Sequence, residues 1–441
     1  MAITVQDSSD TPFFENTTLL QVHSLTAPPG QVSEHKRTRS PLLALPVELL
    51  LAIIQRLRSL ADLFAIRDTS RLLQGVVTAT SIATVRLERT FRDANALGRA
   101  MSSEELCKHI QHIRFDYNTG DDDIEGTWYR RSRESKTDSL LQAFVKAFLR
   151  LSRSPSLRSA HLVFNQTIDM KPVPHVEELF AYPITFQQRI LTVLARSAPL
   201  TLTTLTLENV SPIPHSVYQS QSFANLLGQL TAFSLSTPSR SSKGSSLLFS
   251  NAFADFWYTT VPSMLCRASN LEHLRLESGG CEEGFVPIEV GIRCLCFPHL
   301  KALSLHNISF GLGLKSMSEC RLEDFILRHG STLEHLDLRG CSLWTTSHNP
   351  RITWADMLNR FAEGLCCLTD FVLDPSEEGC AEIIAPLTHR RGSFGYSKDS
   401  IPHCVTWDDD AALQHLVATL FLPEPDLHAG SLHAWLHVEY V

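Results

Sequence analysis

Apolar and polar residues alternate in a pattern that recurs along most of this chain. In STLEHLDLRGCSLW, residues 331–344, Leu333, Leu336, Leu338, Cys341 and Leu343 fit L-x-x-L-x-L-x-x-C-x-L. His335, Asp337 and Arg339 fill the alternate positions. The same phase returns at Leu300, Leu303 and Leu305, at Leu271, Leu274 and Leu276, at Leu202, Leu205 and Leu207, and at Leu368, Phe371 and Leu373. Weaker copies are Leu230, Phe233 and Leu235, then Leu157, Ala160 and Leu162, then Ile110, Ile113 and Phe115. An x-L-x-L core has the period of a strand with one apolar face, so each copy predicts a short strand.

Segments at helical period separate the strands. Phe144, Val145, Phe148 and Leu149 form one stripe, Phe186, Ile190 and Leu194 a second, and Leu322, Phe325 and Ile326 a third. Thr353 is placed to cap a fourth helix carrying Trp354, Met357, Leu358 and Phe361. A strand with a helical return, repeated about eight times, cannot bury its leucines unit by unit. Stacking into a curved solenoid is expected, with parallel strands on the concave side, helices on the convex side and the alternating polar residues facing solvent. The copies lie about 28 to 47 residues apart, so the repeat carries insertions, among them the Ser-rich stretch 234–246 and the stretch 377–403.

The pattern ahead of the repeats differs. Residues 1–40 are rich in Ser, Thr, Gln and Pro without sustained periodicity and read as a disordered tail. From Pro41, Leu49, Leu50, Ile53, Ile54 and Leu57 recur at helical spacing, with Pro46 suited to a first helical turn and Glu48 to the positive end of the helix dipole. Leu60, Leu63, Phe64 and Ile66 continue into a second helix, and a third is expected around Leu72, Leu73 and Val76. The divisions expected are a tail over 1–40, an all-α trihelical domain over 41–85 and the irregular repeat array over 86–441.

Through Leu45-Pro46-x-Glu48-Leu49, the spaced Ile53 and Leu57, Asp62-Leu63 and Thr69-Ser70-Arg71, the trihelical segment resembles the F-box motif. The region after it resembles the leucine-rich repeats that follow an F-box in many fungal proteins, most closely in ILRHGSTLEHLDLRGCSLW followed by ITWADMLNRFAEGL. The resemblance implies a substrate-recognition subunit of a cullin-RING (SCF-type) ubiquitin ligase, which docks a Skp-family adaptor, and through it a cullin, and binds a protein substrate. Leu45, Pro46, Leu49, Leu50, Ile53 and Leu57 would then form the adaptor patch and helix core, and His273, Arg275, His335, Asp337 and Arg339 the substrate contacts. The alternative is a repeat scaffold that binds partners without recruiting a ligase.

Composition and charge narrow the choices. Hydrophobic residues at 43% and charged residues at 20% describe a globular chain, and a formal net charge of -8 argues against a dominant nucleic-acid or anionic-membrane surface. Without a signal-peptide pattern or an apolar run of membrane-spanning length, an intracellular protein, cytoplasmic or nuclear, is expected. The 11 cysteines are scattered, and most of them read as buried small hydrophobes.

Catalytic and metal signatures are weak. GLGLKS, 311–316, lacks the spacing of a phosphate loop. Cys294, Cys296 and His299 and the Cys366-Cys367 pair lack the paired C-x2-C spacings of a structural zinc site, and His109 with His112 and His433 with His437 are pairs where such a site needs at least three converging ligands. Asp121–Asp123 and Asp408–Asp410 read as solvated loops. His335, Asp337 and Arg339 resemble a catalytic row, yet the equivalent outward positions elsewhere are Thr204, Thr206 and Glu208, then His273, Arg275 and Glu277, then Ala302, Ser304 and His306. Chemistry that changes from copy to copy suits recognition, so no bond chemistry, cofactor or metal is expected.

Overall fold

A computed structural model describes residues 45–57, 60–69, 73–74, 82–117, 134–164, 176–238, 255–279, 292, 295–310, 322–345, 353–375, 401–403, 411–416 and 419. The first two helices are α1 (Val47–Gln55) and α2 (Leu60–Arg67). Pro46 stands one position outside α1, where its carbonyl accepts the N-H groups of Leu49 and Leu50, both at 3.1 Å, and Glu48 occupies the first turn. Of the expected third helix, Leu73 and Gln74 are helical and Leu73 is buried.

Among the described residues, nine strands follow in one parallel sheet whose spatial order is the chain order: β1 (Thr84–Glu88), β2 (His112–Asp116), β3 (Ser159–Val163), β4 (Thr204–Glu208), β5 (Ala232–Ser236), β6 (His273–Glu277), β7 (Ala302–His306), β9 (His335–Thr345) and β10 (Asp370–Pro375). Two short strands, β8 (Ser309–Phe310) and β11 (Ile401–His403), flank the far half of β9; β8 runs parallel to it and β11 antiparallel. β11 brings the end of the 377–403 insertion onto Trp344. The nine-stranded run is all-parallel, and with its returning helices it makes this an α/β protein.

Register explains why one phase of apolar residues suffices. Val85, Ile113, Ala160, Leu205, Phe233, Leu274, Leu303, Leu336 and Phe371 are successive neighbours across the sheet. Leu87, Phe115, Leu162, Leu207, Leu235, Leu276, Leu305, Leu338 and Leu373 form a second row on the same face. Each buried side chain of this size stabilises the fold by about 1.5–3 kcal/mol. The helices α3 (Phe91–Ser102), α4 (Glu104–Cys107), α5 (Glu134–Phe148), α6 (Val176–Ser197), α7 (Ser216–Gln219), α8 (Gln221–Gln229), α9 (Val261–Leu265), α10 (Leu322–Arg328) and α11 (Trp354–Gly364) return the chain between strands. Their buried residues join the leucine rows in one core, while alternate strand positions stay open to solvent.

The first copy, Ile82, Val85 and Leu87, has no leucine until its last position and escapes the leucine search; all three side chains are buried. The division placed at residue 85 falls within its strand β1. Phe64 of α2 belongs to the same core as the strands, and the Arg99 guanidinium of α3 lies 5.3 Å above its ring. In α5, Phe144 and Phe148 are buried as expected, with Leu140, Leu141 and Ala147 on the same face, while Leu149 falls just past the end of the helix and is exposed. The stripes of α6, α10 and α11 are buried, and Thr353 and Asp356 form a reciprocal capping box. Among the described residues no helix is long and apolar enough to cross a membrane.

The 1–40 tail, GLGLKS at 311–316, Asp121–Asp123, Asp408–Asp410, Cys294, His433 and His437 lie outside the described residues.

Candidate functional site

Two surfaces carry the residues singled out by pattern. The first is α1. Its nine residues present two faces: Leu50 and Ile54 are buried, whereas Val47, Leu49 and Ile53 are 49%, 52% and 42% exposed. Pro46 is also exposed, and Leu45 and Leu57 are half-buried. The outward members of the adaptor set are thus Pro46, Leu49 and Ile53, joined by Val47, while Leu50 serves the interior. Such a cluster of large apolar side chains on one short helix costs solvation free energy unless a partner covers it.

The second surface is the polar face of the sheet. Three outward rows cross it in register. The first includes His112, Ser159, His273 and His335, with Asp370 beside His335; the second includes Arg86, Arg114, His161, Arg275, Ser304 and Asp337; the third includes Glu88, Asp116, Glu208, Glu277, His306 and Arg339. Parallel pairing holds each position about 4.8 Å from its neighbour, so residues far apart in sequence become contacts.

Four of the five predicted substrate residues enter short polar contacts. Arg275 donates to Glu277 Oε2 at 2.7 Å and to His306 Nδ1 at 3.3 Å. His306 Nε2 stands 3.1 Å from Asp337 Oδ2, and Arg339 Nε donates to Asp337 Oδ1 at 3.0 Å. Glu277, Arg275, His306, Asp337 and Arg339 therefore form one continuous chain across β6, β7 and β9. His335 Nδ1 lies 3.6 Å from an Asp370 carboxylate oxygen, at the side of this chain. His273 is exposed, on the row of His335 with Ala302 between them.

Nδ1 of His306 faces the Arg275 guanidinium and Nε2 the Asp337 carboxylate. Both ring nitrogens are then occupied, and neither is left to take a proton from Ser304, two residues earlier on the same strand. Burial works against ionisation of Asp337, but the hydrogen bond and charge of His306, with Arg339, outweigh it and hold the carboxyl below its ordinary value of 3.8. The result is a fixed array of donors and charges around an ionised carboxylate, suited to orienting a partner.

A second cluster lies toward the start of the sheet. His161 Nε2 stands 2.8 Å from Glu208 Oε1, and His112 Nδ1 2.7 Å from Ser159 Oγ. His161 lowers the pKa of Glu208 below the ordinary 4.5 against the opposing effect of burial, and the charges of Arg114 and Arg275 add to it.

Cys341 belongs to neither surface. It is buried, its Sγ lies 3.1 Å from the Leu305 carbonyl, and desolvation pushes its thiol up to about 12, which removes it as a nucleophile near neutral pH. Cys366 and Cys367 place their sulfurs 4.0 Å apart, each also against a backbone carbonyl, of Gly330 and Ser331 respectively. Among the described residues no group of three or more His, Cys, Asp or Glu could hold a metal ion.

Pattern reading placed Glu277 and His306 outward without selecting them. Aligning the copies in register puts His306 between Glu277 and Arg339, the one signal that would have found it. Arg86, on the first copy, was hidden with that copy. No protein-family model matches the chain, and no curated protein matches it.

Proposed function

We propose that this protein is a non-catalytic substrate receptor: an F-box-like helical segment docks a Skp-family adaptor and its cullin, and a leucine-rich-repeat-like solenoid holds a protein substrate on its polar face. The reading is carried by the division of α1 into a buried side, Leu50 and Ile54, and an exposed apolar side, Val47, Leu49 and Ile53. A helix that served only the interior would not keep three large apolar residues in water. The linked side chains of Arg275, His306, Asp337 and Arg339 support the second half of the reading, since a preformed polar array gives a protein partner orientation and specificity. The receptor would act by proximity, raising the effective concentration of substrate lysines near the ligase.

Affinity purification of the full chain from cells tests this. Adaptor and cullin should co-purify with the wild type and be lost from Leu49→Asp/Ile53→Asp, with the variant remaining folded because both positions are exposed. Recovery of adaptor by the double variant would overturn the docking role. Partners that persist with no adaptor or cullin in the wild-type sample would make the protein a ligase-independent scaffold.

A further inference from the structure

Cys366 and Cys367 occupy the turn from α11 into β10, between the buried Leu365 and Leu368. The two leucines pin the turn to the core. The backbone beneath it is held closely as well: a Cβ on Gly330, in the preceding copy, would lie 2.0 Å from the Gly364 carbonyl oxygen. On this fixed turn Cys366 is exposed, Cys367 is half-buried, and their sulfurs stand 4.0 Å apart. Both thiols can give up their protons without leaving a buried group unpaired. The Gly330 carbonyl keeps the Cys367 N-H at 3.3 Å, and Ser331 is exposed, so water replaces the thiol donor at its carbonyl.

Two thiols so placed can join to each other or share a bridging atom. A direct disulfide is disfavoured, because consecutive Cα atoms lie about 3.8 Å apart, short of the roughly 4.4–6.8 Å that relaxed disulfides span. A bridging ion leaves the sulfurs apart. Midway between them it would lie about 2 Å from each, close to the ~2.3 Å of a zinc-thiolate bond.

The donor set selects the ion. Magnesium and calcium take oxygen ligands, and zinc takes three or four protein ligands, whereas no cluster of three or more His, Cys, Asp or Glu occurs among the described residues. Copper(I) is soft, favours thiolates and is satisfied by two of them in line. The hydrogen bond and charge of Cys366, with burial and the charge of Glu334, hold the Cys367 thiol above its ordinary value of 9.0. Two bare thiolates therefore repel each other here, and a cation between them removes that repulsion.

We infer that Cys366 and Cys367 form a two-coordinate copper(I) site at the joint between the β9 and β10 copies. Binding breaks two S-H bonds and forms two Cu-S bonds; both protons pass to solvent and copper stays monovalent, so no oxidant or reductant takes part. The site goes beyond the receptor role and does not depend on it.

Anaerobic titration of the reduced full chain against the coloured copper(I) complex of bathocuproine disulfonate tests this, with ascorbate holding the copper monovalent. Cys366→Ser/Cys367→Ser should take up one equivalent less than the wild type, whereas C266S/C296S, altered at two exposed cysteines elsewhere, should match the wild type. Copper(I) should raise the melting temperature of the wild type and leave that of C366S/C367S unchanged, and melting of the metal-free variant shows that it folds. X-ray absorption of the wild type at one equivalent should show two sulfur neighbours. No uptake by the wild type, equal uptake by C366S/C367S, three or more sulfur neighbours, or displacement of the copper by equimolar zinc(II) would each overturn the site.

Discussion

At the residue scale, three positions seven residues after the first apolar residue of their copies share one backbone conformation. Asn209, Asn307 and Gly340 have φ of 57°, 54° and 59°, in the left-handed region that Asn and Gly tolerate best. The turn they make rotates the next residue, Val210, Ile308 or Cys341, into the core, where each is buried. At Gly340 a Cβ would also come within 2.2 Å of Asn307 Oδ1 in the adjacent copy. Gly340→Ala should therefore lower stability by about 1–2 kcal/mol from the backbone alone, with a further loss as Asn307 is displaced, measured by chemical denaturation. His329 supplies a pH dependence. It is buried, with Nδ1 2.7 Å from the Phe325 carbonyl and Nε2 accepting the Phe297 N-H at 2.9 Å, and burial lowers its pKa below the ordinary 6.5. The unfolded chain then binds a proton at a pH where the folded ring stays neutral. This contribution to stability is intact above about pH 6.5 and is lost progressively as the pH falls below it. Melting temperature should decline over that range, and His329→Gln, less stable at neutral pH, should show a shallower decline.

At the element scale, α1 and α5 show how far helical periodicity reaches. The stripe Phe144, Val145, Phe148 and Leu149 reads as a helix, but the helix ends at Phe148 and Leu149, in the turn that follows, faces solvent. In α1, Leu49 and Leu50 are adjacent and chemically identical, yet 52% and 1% exposed. Leu50→Ala should cost about 2–5 kcal/mol, as expected for a buried leucine, while Leu49→Ala should change stability by less than about 0.5 kcal/mol. Equilibrium urea denaturation of the two variants checks the contrast.

At the scale of the whole molecule, α2 joins the core of the sheet through Phe64, whereas the buried Leu50 and Ile54 of α1 lie outside that cluster. Phe64 of α2 is buried in it, beneath Arg99 of α3, and Arg67 lies 3.7 Å from Glu105 of α4. Phe64→Ala should cost about 3–5 kcal/mol and lower the unfolding of helices and strands together. A segment that folded independently would instead separate the two transitions. Following far-ultraviolet dichroism and the fluorescence of the buried Trp257 and Trp354 through the same denaturation distinguishes these outcomes. Nearest-neighbour stacking of the copies adds a consequence for the surface: the Glu277 to Arg339 chain spans three strands, so its geometry depends on the packing of three successive units.

The sequence by itself determined the parts of this protein that follow from local period. Eight strand cores, the faces of α6, α10 and α11, the Thr353 cap and the inward place of Cys341 are set by spacing within a few residues, because side-chain direction in strands and helices is a property of the local backbone. Only the tertiary structure decided the ninth copy at Ile82, Val85 and Leu87, where burial of Ile and Val replaces the leucine signal. It alone decided which leucines of α1 face water. It also joined His306 to Asp337 and set Arg86 beside Arg114, pairs separated by 31 and 28 positions, because register across a parallel sheet depends on how whole units stack, and no local pattern records that.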